Sequence, residues 1–184
     1  MAAELNSEMI KFDNIEKMKL FRIYKDVRFS KDKTPYKTSF SGSFSRATTA
    51  LRGGYYFHLE PGGKSMVGGG FWKPEPKDLK RIRQEIAMDD KPLRKIINSA
   101  SFKKHWGYID GEQVKTAPKG YAKDHPSIDL LRYKSFVVSH SFTDKEVTTP
   151  GFVKEVFKYM KATRPFFNYM SEILTTDTNG VPLI

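Results

Sequence analysis

The chain has 184 residues, 39% hydrophobic and 14% aromatic, the size of one domain with enough apolar surface for a core. It contains no cysteine, which excludes disulfides, thiolate metal sites and cysteine nucleophiles, and its formal charge of +11 directs attention to anionic partners. No apolar run approaches the roughly 18 residues a membrane span needs, and the first twenty residues lack the basic-then-apolar layout of a signal peptide, so the expectation is a cytoplasmic protein with no membrane partner.

Leu5, Met9 and Phe12 recur at helical spacing and read as the end of a helix. From Leu20 the period changes to two. Phe21, Ile23, Val27 and Phe29 fall on one side of a predicted strand over 20–29, with Arg22, Tyr24, Asp26 and Arg28 on the other and Lys25 breaking the pattern. Ser30 to Leu51 is rich in Ser, Thr and Lys and reads as a long loop, a class of segment that is often functional.

Segments 53–60 and 65–72 flank Pro61-Gly62-Gly63-Lys64 and predict a β-hairpin. Gly68, Gly69 and Gly70 within its second strand suggest a bulge or the close approach of another group. Glu75-Pro76 opens a helix carrying Leu79, Ile82 and Ile86, and Asp90 with Pro92 opens another carrying Leu93, Ile96 and Ile97. An irregular stretch from His105 to Pro126 leads to a short helix at 127–132, for which Asp124 is a candidate cap, and to a strand at 135–142. The last element is a long helix with Thr149 as N-cap and Pro150 at the first position. Its stripe of Phe152, Val156, Met160, Phe167, Met170 and Leu174 should lie across the sheet, and Pro165 should bend or break it near residue 161. The order of elements predicts an α+β fold: an antiparallel sheet of about four or more strands packed against helices, in a single domain spanning 1–184 with a long C-terminal helix.

Charge is focused. Residues 17–52 hold ten basic side chains against Asp26 and Asp32. Arg22, Asp26 and Arg28 at two-residue spacing, followed by Lys33 and Tyr36, can be read in two ways: an internal ion-pair network around Asp26, or an anion pocket whose forked guanidinium donors exceed what one acid neutralises. A second polar group is Lys119, His125 and Arg132. His58 to Ser65 ends like a phosphate-binding loop but has His58 where the first glycine must stand, and Ser41 to Ser45 lacks the order of a nucleophile elbow. The four histidines, His58, His105, His125 and His140, include no i,i+4 pair, so no metal site is expected. Nor does the sequence call for a cofactor, and it presents no obvious acid and base pair, which leaves open whether the protein is an enzyme.

Arg22-Ile-Tyr-Lys-Asp26-Val-Arg28-Phe29-Ser-Lys-Asp32-Lys33-Thr-Pro35-Tyr36 resembles the signature of the mainly bacterial domain of unknown function 2461 family, with Lys25 where that family usually has a second arginine. The likeness continues through Gly54-Tyr55-Tyr56, Gly68 to Trp72, Lys119-Gly120-Tyr121 and Asp124-His125-Pro126 to Arg132. It implies relatedness of fold and no particular activity, cofactor or partner. It also implies that the family's N-terminal helical segment is missing from this chain.

The expected function is binding of an anionic small molecule, with phosphorylated compounds as the first ligand class, by Arg22, Asp26, Arg28, Lys33 and Tyr36, joined by Lys119, His125 and Arg132. A nucleic-acid-binding module is the alternative, since Tyr and Phe at 21, 24, 29, 36, 40 and 44 are interleaved with the cations. A third reading is an interaction or scaffold domain using Phe71, Trp72, Phe166 and Phe167.

Overall fold

The structure, a computed structural model, describes residues 1–29, 31 and 33–183. In chain order its elements are α1 (Ala2–Phe12), β1 (Ile15–Leu20), β2 (Phe40–Arg46), β3 (Gly54–Leu59), β4 (Ser65–Phe71), α2 (Pro76–Met88), α3 (Lys91–Ile97), α4 (Ala100–His105), α5 (Ile128–Leu131), β5 (Phe136–Phe142), α6 (Asp144–Val147) and α7 (Phe152–Thr175). The five strands form one antiparallel sheet in the order β1-β2-β3-β4-β5, each beside its neighbour in the chain. The α+β architecture is therefore as the sequence predicts.

Alternation sets the two faces of the sheet. Tyr55 and Phe57 on β3, Val67 and Phe71 on β4, and Phe136, Val138 and Phe142 on β5 are buried on one side. There α7 lies against β4, with α1, α2, α3 and α4 around it. Along α7, Phe152, Val156, Met160, Phe167, Met170 and Leu174 supply the helical half of the core at the spacing read from the sequence, and Phe166 and Phe71, read there as parts of an interaction surface with Phe167 and Trp72, are buried in the same core. A buried ion pair pins the rim of this layer. Arg46 on β2 faces Asp13 after α1 at 2.9 Å, and their side chains are 1% and 4% exposed. Tyr55 Oη donates to the same carboxylate at 2.6 Å, and Arg46 donates to Asn168 Oδ1 of α7 at 2.6 Å. Burial, and then the hydrogen bond to Asp13, push the Tyr55 phenol far above its ordinary pKa, so it stays a donor.

Five local expectations are corrected. The strand expected at 20–29 ends at Leu20. Beyond it Phe21, Ile23 and Phe29 are exposed, Phe29 by 96%, because the true β1, IEKMKL, precedes them and uses up the sheet edge. Residues 40–46, read as loop, form β2, whose alternation of Phe40, Gly42 and Phe44 with three serines hides a strand behind loop-like composition. Pro165 does not break α7, which is continuous over 24 residues with the proline on its solvent side; the cap is Gly151 in the left-handed region, not Thr149. The N-cap of α5 is Ser127 rather than Asp124.

The starts of α2 at Glu75-Pro76 and α3 at Asp90 follow the sequence reading, as does the hairpin turn at 61–64. That turn is anchored by Asp144 of α6, whose carboxylate accepts from the backbone N–H groups of Gly62 and Gly63 at 2.9 and 3.0 Å. These two donors hold the Asp144 carboxyl below its usual pKa.

His140 on β5 stacks on Tyr159 at 4.4 Å, and burial lowers its pKa below the ordinary 6.5, against the opposing pull of Glu146 and Glu155 and with the support of His105. The fold thus favours the neutral ring. As pH falls from 6.5 toward the folded pKa the unfolded chain takes up the proton first, so this contribution is complete above pH 6.5 and is lost below it. Urea midpoints measured between pH 7.5 and pH 5 should decline, and His140→Phe should flatten the part of that decline above the carboxylate range.

Candidate nucleic-acid interface

The residues singled out in the sequence divide into two groups. Loop 21–39 joins β1 to β2 at the end of the sheet that also carries turn 61–64, because Phe21 N–H pairs with Ser41 and Phe40 lies opposite Leu59. Within the loop, Tyr24 and Tyr36 form an antiparallel bridge with ring centroids 5.6 Å apart, and Lys33 donates to the Val27 carbonyl at 2.9 Å. Arg28 grips Asp26 through Nε at 3.0 Å and a terminal nitrogen at 2.7 Å, and this pairing lowers the Asp26 pKa. Arg22 acts on that carboxylate only through its field, so Asp26 is not held between two arginines. The pair lies in the open, with side chains 77% and 61% exposed. Asp32, part of the same sequence cluster, lies outside the described residues.

Lys119, His125 and Arg132 lie elsewhere. Lys119 borders a 470 Å³ recess with Arg83 and Tyr121. His125 Nδ1 accepts from the Ser127 N–H at 3.1 Å, and Arg132 Nε donates to the Val114 carbonyl at 2.9 Å. This segment feeds β5 at Phe136, opposite Phe71, at the far end of the sheet and along its other edge. Four strand spacings of about 4.8 Å set the β1 and β5 edges roughly 19 Å apart, so the two groups do not converge on one small ligand.

Residues that the sequence did not connect with one another are brought together on the sheet face opposite the helices. Register aligns Lys19, Ser43, Tyr56, Gly68 and Ser139 in one row across all five strands. Phe21 continues β1 on this face; its ring lies 6.3 Å from that of Tyr56, with Lys19 Nζ 5.6 Å from its centroid. Tyr56 Oη is 3.4 Å from His58 Nδ1, and His58 Nε2 is 2.9 Å from Glu60, so the carboxylate orients the imidazole and the imidazole steadies the phenol. Toward β5 the face deepens into a recess of about 810 Å³, floored by Gly68 and Gly70 and walled by Tyr56 and Trp72. Gly70 sits at φ +135°, and a Cβ there would collide with the Phe136 carbonyl, so the floor must be bare backbone. At the rim, Ser139 donates to Asp110 Oδ2 at 2.6 Å and Lys134 pairs with Glu112 at 2.9 Å.

The sequence holds a faint signal for part of this surface. Tyr56 and His58 alternate with buried Tyr55 and Phe57, and the glycines recur where side chains would fill the face. Asp110 lies in an irregular stretch and carries no such signal.

A second cavity, about 590 Å³, opens beside Arg46, Arg164 and Asn168. Its two guanidiniums are already engaged: Arg46 with Asp13 and Asn168, and Arg164 with the Phe12 carbonyl at 2.6 Å. Among the described residues no cluster of His, Asp or Glu could hold a metal ion, and no helix is long and apolar enough to cross a membrane.

An α+β domain with helices on one side of an antiparallel meander and an open, aromatic-bearing face on the other is the class that this geometry defines. The chain belongs to the family described as conserved hypothetical protein (DUF2461), whose pattern matches residues 1–169. No curated protein and no solved structure matches it.

Proposed function

We propose that the protein binds single-stranded nucleic acid along the open sheet face and loop 21–39. The observation that supports this most is the set of rings and cations near the β1 edge: Phe21 against the half-buried Tyr56 of β3, Lys19 over Phe21, and the exposed, paired Tyr24 and Tyr36 of the loop. Segment 21–39 carries six cations against Asp26 and Asp32. Cations spread on an exposed loop suit a polymer of phosphates, whereas a small phosphorylated molecule needs them converged in a cleft. This exchanges the first sequence-based preference for its alternative while keeping Arg22, Arg28, Lys33 and Tyr36 as ligand-facing residues. Rings that stack on bases contribute about 1–3 kcal/mol each, and the cations track the backbone.

Anisotropy of a labelled twelve-nucleotide uridylate tests the reading. Affinity should fall linearly in log salt with a slope near −0.7 per phosphate neutralised. Phe21→Ala and Tyr56→Ala should each weaken binding by about 1–3 kcal/mol while leaving that slope nearly unchanged. Arg28→Gln should reduce the slope instead. No binding at about 50 mM salt, or binding indifferent to both ring deletions, refutes the proposal.

A further inference from the structure

We propose that the recess on the open face is a guanine pocket, an inference that rests on the nucleic-acid reading and assigns its specificity. The floor at Gly68 and Gly70 lets a flat ring approach the peptide planes, and Tyr56 and Trp72 offer rings for it to stack against. The volume of about 810 Å³ lies within the usual range for ligand sites.

Charge divides the face along its width. The β1 edge carries Lys17 and Lys19 beside Glu16, and the β5 edge carries Asp110 and Glu112, of which Glu112 is paired with Lys134 and also feels Lys73. Phosphates are therefore drawn to the first edge, while the Asp110 carboxylate lining the recess suits the uncharged, N–H-bearing part of a nucleotide. Asp110 selects which base that is. An ionised carboxylate only accepts hydrogen bonds, and the Ser139 hydroxyl, donating to Oδ2 at 2.6 Å, fixes its orientation while leaving Oδ1 and a further lone pair on Oδ2. Guanine is the one standard base with two adjacent N–H donors on its pairing edge, N1–H and the 2-amino group, matching two carboxylate oxygens. Adenine and cytosine set a ring acceptor beside their single amino donor, and uracil flanks its N3–H with two carbonyls, so each would place a lone pair against the carboxylate.

The test uses the full chain and labelled pentauridylates with one central guanosine, inosine, adenosine or cytidine. A bidentate match predicts that guanosine exceeds adenosine by on the order of tenfold or more. Inosine, which keeps N1–H and lacks the amino group, should fall between them. Asp110→Asn, a substitution at an exposed side chain, should bring guanosine and adenosine close to parity without altering the salt slope; Ser139→Ala should narrow the gap partway. If all pentamers bind alike with a normal salt slope, the guanine assignment is wrong and the surface reading stands. If none binds at low salt, both are wrong. A guanosine preference that survives Asp110→Asn also overturns the assignment.

Discussion

Arg46→Leu lowers the unfolding free energy by about 3–5 kcal/mol, the range expected when one member of a buried ion pair is removed and the other charge stays behind. Among the described residues, the Asp13 carboxylate would keep the Tyr55 hydroxyl at 2.6 Å and the Asn14 N–H at 2.9 Å as its donors. Arg46 also donates to the Arg52 carbonyl and to Asn168, so its loss cuts ties among the sheet, the 47–53 connection and α7 together. Much of the cost is the stranded charge, not the worth of the pair. Arg46→Met combined with Asp13→Asn should therefore recover more than half of it, since asparagine still accepts from Tyr55 without carrying charge. Urea titrations of the three proteins decide the matter. A single-variant loss below about 1 kcal/mol would mean that the network is not what fastens α1 and α7 to the sheet.

How much of this was legible in the sequence depends on which residues are asked. Period-two and period-3.6 patterns are strongest where both neighbours of a buried residue differ from it, and so the hairpin around Pro61, the helix at Pro76 and the stripe of α7 could be read directly. β2 could not, since Phe40-Ser-Gly-Ser-Phe-Ser-Arg46 buries a glycine and an arginine where an apolar residue is expected. Arg46 counted in the sequence as one of ten interchangeable cations, and only the fold distinguishes it from Arg28. The candidate site shows the same division. Loop 21–39 advertised itself through charge, but the face it adjoins is assembled from residues far apart in the chain, and pairings such as Ser43 with Tyr56 and Gly68 with Ser139 are properties of register that no local window contains. Asp110 reaches the recess because its N–H pairs with the Val137 carbonyl at 2.7 Å, a contact between an irregular stretch and an edge strand.

Phe167→Ala should cost about 3–5 kcal/mol, the upper range for a buried aromatic truncation. Its ring lies 4.9 Å from Tyr55, 6.0 Å from Phe71 and 6.2 Å from Phe166, and the space where a Gly69 side chain would begin lies 2.9 Å from the ring's Cζ. The size of the loss depends on whether the surroundings can close over the void. Here they cannot do so readily, because Gly69 is backbone held by β3 and β5 and has no side chain to swing inward. Phe29 supplies the contrast: an identical side chain 96% exposed, whose replacement by alanine should stay within about 0.5 kcal/mol. The comparison also separates stability from binding. Gly69 forms the thin layer between Phe167 and the recess, so Phe167→Ala acts on the floor from beneath, whereas Tyr56→Ala removes a wall from above and leaves the helix-facing core untouched. Urea midpoints should therefore rank Phe167→Ala well below Tyr56→Ala, and oligonucleotide affinity at a temperature where both remain folded should rank them in the opposite order.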